Sequence, residues 1–362
     1  MRLVDEFRNP QLLEKVRQQL PGADAPPAVL MEVCGTHTMA IARYGLRSLL
    51  PKQVRLVSGP GCPVCVTHQR DIDICLALAS VPNVTIATFG DMMRVPGTHS
   101  SLEQQRASGS DVRMVYSPMD AVRLAEAHPN REVVFLGVGF ETTAPAVAAS
   151  ILEASRIGLR NFSVYCAHKL IPPALEALAQ APDLQIDGFI LPGHVSTILG
   201  LEPYRFLAEK YGKACVVTGF EPLDIAIGMA MLLERIKNQN PGLDIQYTRV
   251  VRPDGNPTAR KTMYRVFEPI DSDWRGLGTI PNSGLAIRSE FAHMDAKLKF
   301  ADRIPESDSA EPTFCMCGSI LRGAALPTDC QLFGTACTPT SPVGPCMVSS
   351  EGTCAAFYRY MR

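Results

Sequence analysis

Short apolar segments recur along the first two thirds of the chain, and each is followed by glycine or polar residues and then by helical spacing. Continuous apolar runs are typical of strands that are buried on both faces of a parallel sheet. Such alternation of strands and helices predicts an α/β protein with parallel sheets covered by helices. The predicted strands are residues 28–33, 54–57, 84–89, 112–116, 133–136, 162–165, 189–191 and 214–217.

These strand–helix units would suit one closed barrel or two smaller open sheets. A polar break at residues 100–111 favours two sheets. We therefore expect two similar open parallel-sheet α/β domains that face a cleft, at residues 27–118 and 119–236.

The sequence pattern changes after residue 236, where short apolar segments alternate with glycine and proline. Residues 245–251 are a further strand candidate. We predict a separate, loop-rich domain at residues 237–362, joined by a helix in residues 1–26. Domains with small cores often need a metal to hold them together.

Composition narrows the function classes. A formal net charge of −1 gives no electrostatic case for binding nucleic acid or an anionic membrane surface. No apolar run approaches the roughly 18 residues that span a bilayer, and the charged N-terminus lacks the apolar core of a secretory signal. We expect a cytoplasmic protein, in which twelve cysteines indicate metal-binding or catalytic thiols rather than structural disulfides.

Cys62 and Cys65 form a C-x-x-C pair between a predicted strand and a predicted helix. The helix follows from the spacing of the apolar residues Ile72, Cys75, Leu76 and Ala79. Thiols at a helix N-terminus have a lowered pKa, which suits redox or metal chemistry. The alternative is two small residues buried in a turn.

Cys34 and His37 follow the first predicted strand in the sequence Cys-Gly-Thr-His-Thr. A lone thiol near an imidazole suggests a nucleophile or metal ligand that the histidine deprotonates. The alternative is a small buried residue and a structural histidine.

Further polar residues also follow predicted strands, at the edge where open parallel sheets bind ligands. Glu141 lies in a loop with an incomplete glycine fingerprint, which argues against a dinucleotide site. We expect its glycines to pass close to a neighbour while Glu141 points into the cleft. His194 is a candidate for proton transfer or a structural residue. The full set at this edge is Cys34, Cys62, Cys65, Asp91, Glu141, His168, His194 and Glu221.

Half of the cysteines lie in the last stretch of the chain, among glycines and prolines: Cys315, Cys317, Cys330, Cys337, Cys346 and Cys354. Thiolates on turn-rich backbone suit an iron–sulfur cluster. Zinc and unligated thiols are the alternatives, although the paired knuckles of zinc sites are absent. We favour Cys317, Cys330, Cys337 and Cys346 as ligands, which leaves Cys315 and Cys354 as alternates or a second redox pair. Cys75, Cys166 and Cys215 have apolar neighbours and are assigned to the core.

Taken together, these motifs resemble the HypD family of hydrogenase maturation factors. The matching stretches are residues 31–38, 58–65, 137–145, 191–196 and 342–352, in order along almost the whole chain. The resemblance implies two similar α/β domains and a third domain that holds a [4Fe-4S] cluster.

The resemblance also implies a function in building the iron centre of a [NiFe] hydrogenase. In this family a HypC-type chaperone and HypD hold an iron that receives cyanide and carbon monoxide, and a HypE-type protein supplies cyanide from a modified cysteine. The thiol matching Cys34 would ligate this iron with a cysteine of the chaperone. The hydrogenase large subunit would be served indirectly.

On this basis we expect a metallocentre assembly factor with redox activity rather than a conventional turnover enzyme. Cys62 and Cys65 would cycle between dithiol and disulfide, with electrons from the cluster. Two alternatives remain from the residues alone: a cluster-dependent thiol–disulfide oxidoreductase acting on a protein substrate, and a zinc-stabilised interaction module.

Overall fold

The computed structural model of the protein describes residues 5–22, 25–304 and 314–361. Its strands form two parallel sheets and one antiparallel hairpin. The strands are β1 (Ala28–Glu32), β2 (Val54–Ser58), β3 (Val84–Thr88), β4 (Asp111–Met114), β5 (Glu132–Gly137), β6 (Phe162–Cys166), β7 (Gly188–Pro192), β8 (Ala214–Thr218), β9 (Gly242–Ile245), β10 (Phe267–Trp274) and β11 (Gly278–Ile287).

Helices follow most of the strands and cover the sheets. They are α1 (Pro10–Gln19), α2 (Gly35–Arg43), α3 (Pro63–Val66), α4 (Gln69–Ala79), α5 (Leu102–Ala107), α6 (Pro118–Ala127), α7 (Ala144–Arg156), α8 (Ile171–Gln180), α9 (Gly193–Leu199), α10 (Arg205–Glu209), α11 (Pro222–Lys237), α12 (Pro257–Val266), α13 (Ala296–Lys299), α14 (Cys317–Leu321) and α15 (Thr353–Tyr360). Short 3-10 helices lie at Asp5–Arg8, Leu46–Leu49, Gly90–Met92, Glu202–Tyr204, Ser289–Met294, Ala301–Arg303, Pro327–Asp329 and Pro345–Met347.

The predicted α/β class and the division into two sheets are confirmed. The first sheet has the order β2-β1-β7-β8-β9 and the second has the order β4-β3-β5-β6, with every pairing parallel. Each of the eight predicted strand segments contains a strand, because most of these strands are buried on both faces and therefore appear as apolar runs.

Sheet membership does not follow the predicted boundary at residue 118. The chain crosses from β2 in the first sheet to β3 in the second, and it returns to the first sheet at β7. The polar segment at residues 100–111 contains α5 and connects two neighbouring strands of the second sheet. That segment is therefore not the break between the sheets.

Local sequence explains where several helices begin. At α6 the Ser117 hydroxyl accepts a hydrogen bond from the first turn, and Asp120 accepts one from the Ser117 backbone N–H. Pro118 occupies the first helical position, where its missing N–H costs nothing. Asn256 caps α12 in the same manner, by accepting a bond from the backbone of Ala259.

Beyond the sheets, the hairpin β10–β11 was not predicted, and the strand predicted at residues 245–251 is wrong except at its first residue. Ile245 ends β9 as the last strand of the first sheet, and turns follow it. The hairpin and α12 share an apolar core with the second sheet and α7. The region after residue 236 thus joins the α/β core before it reaches the cysteine-rich segment.

The N-terminal and C-terminal helices both cover the first sheet unit. Helix α1 packs on α11, and Arg8 makes two hydrogen bonds to Glu221, at 2.5 and 2.8 Å. Residues 1–26 were expected to join the cysteine-rich domain, but the described part of them lies against α11. Helix α15 packs on α2, and this contact brings the cysteine-rich segment next to Cys34.

Candidate functional site

A cavity of about 430 Å³ lies where the carboxyl ends of strands from both sheets meet. Cys34 follows β1, Gly61 follows β2, Phe140 follows β5 and His194 follows β7, and all four residues line it. Glu351 from the cysteine-rich segment completes the wall. The position agrees with the rule that open parallel sheets bind ligands beyond the carboxyl ends of their strands.

Cys34 is the buried thiol of this cavity and stands at the N-cap of α2. Burial raises the pKa of its thiol to about 12, and the carboxylates of Glu351 and Glu32 act in the same direction. The backbone amides of Thr36 and His37, in the first turn of α2, lower the pKa in part. The thiol is therefore protonated at neutral pH unless a cation replaces the proton.

Two carboxyl groups accept hydrogen bonds from the backbone and side chains around Cys34. Neither was selected as a site residue from the sequence. Glu32 is fully buried; it accepts hydrogen bonds from the Cys34 backbone N–H at 3.2 Å and from Thr38 Oγ1 at 2.6 Å. Burial raises the pKa of Glu32 to about 7. Glu351 accepts a hydrogen bond from Thr36 Oγ1 at 2.7 Å, and burial raises its pKa.

His37 does not hydrogen-bond to Cys34, although it follows that residue by three positions. Its Nε2 lies 2.9 Å from the carbonyl oxygen of Gly219 and 2.8 Å from Thr218 Oγ1, and its Nδ1 has no hydrogen-bond partner among the described residues. The carbonyl contact requires Nε2 to carry the proton. Burial lowers the pKa of His37 to about 4, so the ring is neutral and ties α2 to the end of β8.

His194 reaches the cavity as part of an aromatic stack. The Phe220 ring lies between two imidazoles, with its centroid 3.9 Å from that of His194 and 4.6 Å from that of His37. His194 is exposed at the cavity, and partial burial lowers its pKa. A neutral imidazole at the cavity wall can accept a proton.

Cys62 and Cys65 form a disulfide at the start of α3. The preceding Gly61 contacts Cys34 through the backbone, because its carbonyl accepts the Gly35 N–H at 3.0 Å. On the other side, Cys65 Sγ lies 3.9 Å from the carbonyl oxygen of Pro345. The disulfide thus lies between the Cys34 cavity and the cysteine-rich segment.

All six C-terminal cysteines line one small cavity of about 10 Å³. Cys317 and Cys346 are joined as a disulfide, with their Cα atoms 6.4 Å apart. The remaining four, Cys315, Cys330, Cys337 and Cys354, are free thiols. Burial and the neighbouring cysteines raise the pKa of Cys315 and of Cys354.

We expected Cys317 and Cys346 among the ligands, with Cys315 and Cys354 as alternates or a second redox pair, whereas the structure joins Cys317 to Cys346. Gly344 lies directly against two of these cysteines. A Cβ added at Gly344 would lie 2.7 Å from Cys315 Sγ and 3.6 Å from Cys317 Cβ.

Glu141 and His168 lie behind the cavity rather than on its wall. Glu141 accepts the Ile171 backbone N–H at 2.9 Å, and burial raises its pKa to about 8. His168 contacts Cys166 Sγ at 3.4 Å, and burial lowers its pKa to about 3. The expected close approach at the glycine loop is present: a Cβ at Gly139 would lie 1.9 Å from Thr143 Oγ1.

Other possible sites are less informative. A second cavity, of about 480 Å³, is lined by His68, Asp71, Tyr165, Lys297 and other residues, none of them a predicted site residue. Within the described ranges, no three His, Cys, Asp or Glu side chains are arranged to hold a single metal ion. None of the helices described here is both long enough and apolar enough to span a bilayer.

Comparison with known proteins identifies the family. A family model for HypD, described as "Hydrogenase formation hypA family", matches residues 9–361. The chain belongs to the HypD family. It is 46% identical over 372 residues to hydrogenase maturation factor HypD2 of Bradyrhizobium diazoefficiens, covering 100% of this chain and 97% of the relative. It is 44% identical over 368 residues to HypD of Escherichia coli, covering 99% and 98% of the two chains.

The HypD-family assignment makes this protein a hydrogenase maturation factor, as its motifs predicted. The structure adds Glu32 and Glu351 to the residues around Cys34, and it adds Phe220, which stacks on His37 and His194. Glu32 could have been predicted from the sequence, because it is a carboxyl residue at the end of a buried strand, two residues before the thiol. Glu351 could not be found in this way, because its contact spans 315 residues of sequence.

Proposed function

We propose that this protein is the scaffold on which the iron of a [NiFe] hydrogenase receives cyanide and carbon monoxide, in complex with a HypC-type chaperone. The observation that carries the proposal is the alignment of three sulfur sites. The Cys34 cavity borders the Cys62–Cys65 loop, and that disulfide borders the cavity of six cysteines. Such a series suits delivery of electrons to a buried metal-binding thiol.

Iron is the cargo in this proposal, and Cys34 is its ligand. Thiolates bind iron well, and binding displaces the thiol proton. Because burial raises the Cys34 pKa to about 12, iron should bind more tightly as pH rises. A cysteine of the HypC-type chaperone would supply the second thiolate. The apolar wall formed by Val33, Phe140 and Val195 limits access of water.

Cyanide transfer requires a two-electron reductant, which a dithiol can provide. A HypE-type partner would deliver cyanide on a cysteine sulfur, and breaking that sulfur–carbon bond to give cyanide and a thiol consumes two electrons and one proton. Oxidation of the Cys62 and Cys65 thiols to a disulfide releases two electrons and two protons. One proton is left over, and His194 or Glu351 at the cavity wall can accept it.

The resulting disulfide must be reduced again, and the Cys317–Cys346 pair is suited to do so. The Cys346 thiolate attacks Cys65 Sγ and releases the Cys62 thiolate. Cys317 then attacks Cys346, which reforms the Cys317–Cys346 disulfide and frees Cys65. The approach of Cys65 to Pro345, next to Cys346, supports this route.

The free thiols fit a [4Fe-4S] cluster in number and chemistry. Cys315, Cys330, Cys337 and Cys354 supply the four thiolates that such a cluster takes. The cavity holds about one water, so these four side chains would have to move apart to hold a cluster. When bound, a cluster would pass single electrons from an external one-electron donor, and two such electrons with two protons would convert the Cys317–Cys346 disulfide to the dithiol.

Burial argues against the alternative of an oxidoreductase for protein substrates. The disulfide sulfurs belong to residues that are nearly closed to solvent: Cys62 is 3% exposed, Cys65 is 0%, Cys317 is 4% and Cys346 is 1%. A protein substrate could not reach them in this conformation. A small cavity next to a buried disulfide suits a reaction on a bound metal centre better.

The test is anaerobic co-purification with the HypC-type chaperone, followed by infrared spectroscopy. We expect absorption bands from iron-bound cyanide and carbon monoxide. Cys34→Ala should abolish these bands and the jointly held iron, while the C-terminal cluster remains. Cys215→Ala is the matched control, because Cys215 is a buried cysteine of β8 outside the cavity. Persistence of the bands in Cys34→Ala would contradict the scaffold function.

A further inference from the structure

The turn of the β10–β11 hairpin contacts Phe140 of the Cys34 cavity, the end of α3 and the start of α14. The segment Trp274–Gly276 comprises the last residue of β10 and the first two residues of the turn. Trp274 stacks on Phe140, with ring centroids 6.1 Å apart, and Phe140 lines the Cys34 cavity. The Trp274 indole N–H donates to Ser283 Oγ at 2.8 Å, which fixes the ring within the hairpin.

Arg275 holds the C-terminal end of α3, the short helix that begins with the Cys62–Cys65 disulfide. Its backbone N–H donates to the carbonyl of Val66 at 2.9 Å, and its Nε donates to the carbonyl of Thr67 at 3.2 Å. Its Nη2 donates to Gln69 Oε1 at 3.1 Å. Positive charge and N–H donors at a helix C-terminus stabilise its free carbonyls.

Arg275 is also almost fully buried, with 1% of its surface exposed. A buried guanidinium is costly unless its donors are satisfied, so its position is well determined by these contacts. Its charge reaches the cysteine cavity as well. Burial raises the pKa of Cys315, and the Arg275 guanidinium acts in the opposite direction.

Gly276 contacts the backbone beside the Cys317–Cys346 disulfide. A Cβ added at Gly276 would lie 2.2 Å from the Cα of Gly318, so the two backbones are in direct contact. Gly318 is the residue after Cys317, at the start of α14. Gly276 also has φ +74°, a conformation that favours glycine.

We propose that the turn Trp274–Gly276 positions the two disulfides for exchange with each other, and that Arg275 is the positioning residue that holds Cys65 opposite Cys346. Adjacent residues of this turn contact α3 and α14, so a change in the turn should alter the distance between the two sulfur pairs. The inference rests on the proposed electron route and names a residue outside the reacting groups.

The experiment uses the full-length chain, purified anaerobically, with Cys62→Ser. Removal of Cys62 leaves Cys65 as a free thiol that can attack Cys346. The bond Cys65–Cys346 then forms, the bond Cys317–Cys346 breaks, and Cys317 leaves as a thiolate. Rapid alkylation and peptide mass spectrometry measure the appearance of the mixed disulfide.

We expect Arg275→Gln in this background to slow formation of the mixed disulfide at least tenfold. Arg275→Lys should recover part of the rate because it retains the charge and one donor. Gln69→Met removes one acceptor of Arg275 and should slow exchange by a smaller factor, which provides a test if Arg275→Gln does not fold. Arg252→Gln, at an exposed arginine, is the control.

A second measurement distinguishes loss of alignment between the two disulfides from a general loss of structure around them. Reduction of Cys317–Cys346 by added dithiothreitol should be unchanged in Arg275→Gln if only the alignment is lost. Faster reduction by the reagent would indicate loosened structure and would overturn the proposal, as would an unchanged exchange rate. If Cys62→Ser alone forms no mixed disulfide, the proposed electron route itself fails, and this inference fails with it.

Discussion

Gly61 and Cys34 are in direct backbone contact. A Cβ added at Gly61 would lie 2.2 Å from the backbone nitrogen of Cys34 and 2.4 Å from its Cα. The loop that carries the Cys62–Cys65 disulfide therefore rests on the residue proposed to bind iron. Any change in the position of this loop is transmitted to Cys34 without an intervening side chain.

Gly61→Ala should consequently destabilise the protein and displace Cys34. We expect a loss of about 1–3 kcal/mol in the free energy of unfolding, as for overpacked sites, together with faster alkylation of Cys34 as its burial decreases. Denaturant unfolding and timed alkylation measure the two effects. Gly90→Ala is the control, because its added Cβ would make only an ordinary contact, 3.7 Å from Met114 Sδ. Equal stability of the two variants would contradict the contact.

The disulfide between Cys317 and Cys346 divides the six C-terminal cysteines into two classes. Alanine at any of the four free cysteines, such as Cys330 or Cys354, should remove a ligand and lower bound iron and sulfide to a small fraction of the wild-type amount. Alanine at Cys317 or Cys346 should leave the proposed cluster in place. Iron and sulfide analysis with visible absorbance distinguishes the classes. Cluster loss in Cys317→Ala but not in Cys315→Ala would reverse the assignment.

The sequence predicted the strands but not their order, and the reason is physical. Strands buried on both faces are apolar throughout, so a local pattern reveals them. The return of β7 beside β1 depends on packing between segments that are distant in sequence, which no local pattern contains. The continuous alternation of strands and helices therefore suggested one domain after another along the chain.

The sequence predicted which residues lie near the candidate site, but it predicted only some of the contacts between them. Cys34 and His194 line one cavity, beside Gly61 and Pro63 of the C-x-x-C loop, because the carboxyl ends of parallel strands share one edge. His37 was expected to act on Cys34 because the two residues are close in sequence. Its ring is instead oriented by Thr218 and Gly219, at the end of a distant strand. Spacing alone could not pair Cys317 with Cys346, since the pairing depends on how the loop between them folds.

Because Phe220 stacks on the imidazoles of His37 and His194, its removal should change the pKa of both histidines. Burial lowers the pKa of His194 and lowers that of His37 to about 4. Phe220→Ala removes the ring that covers both, so both pKa values should rise toward the ordinary 6.5. Titration of the imidazole ring protons by NMR measures this. Phe220→Leu keeps apolar cover and should give smaller shifts, and an unchanged His194 pKa in Phe220→Ala would refute the role of the stack.

Glu141 predicts a pH dependence of stability. Its pKa is raised by burial from 4.5 to about 8, so the folded protein retains a proton that the unfolded chain releases. Its contribution to stability is complete below about pH 4.5 and is lost as pH rises through about 8. A shift from 4.5 to 8 corresponds to at most about 5 kcal/mol.

Glu141→Gln is neutral at every pH and can still accept the Ile171 N–H. The free energy of unfolding of Glu141→Gln, measured against wild type in denaturant, should therefore increase progressively between about pH 5 and pH 8. Some slope should remain in both proteins, because the pKa of Glu32 is raised to about 7 and acts in the same direction. Glu103→Gln, on the exposed surface of α5, is the control. A constant difference between Glu141→Gln and wild type across this range would mean that Glu141 is ionised in the folded protein.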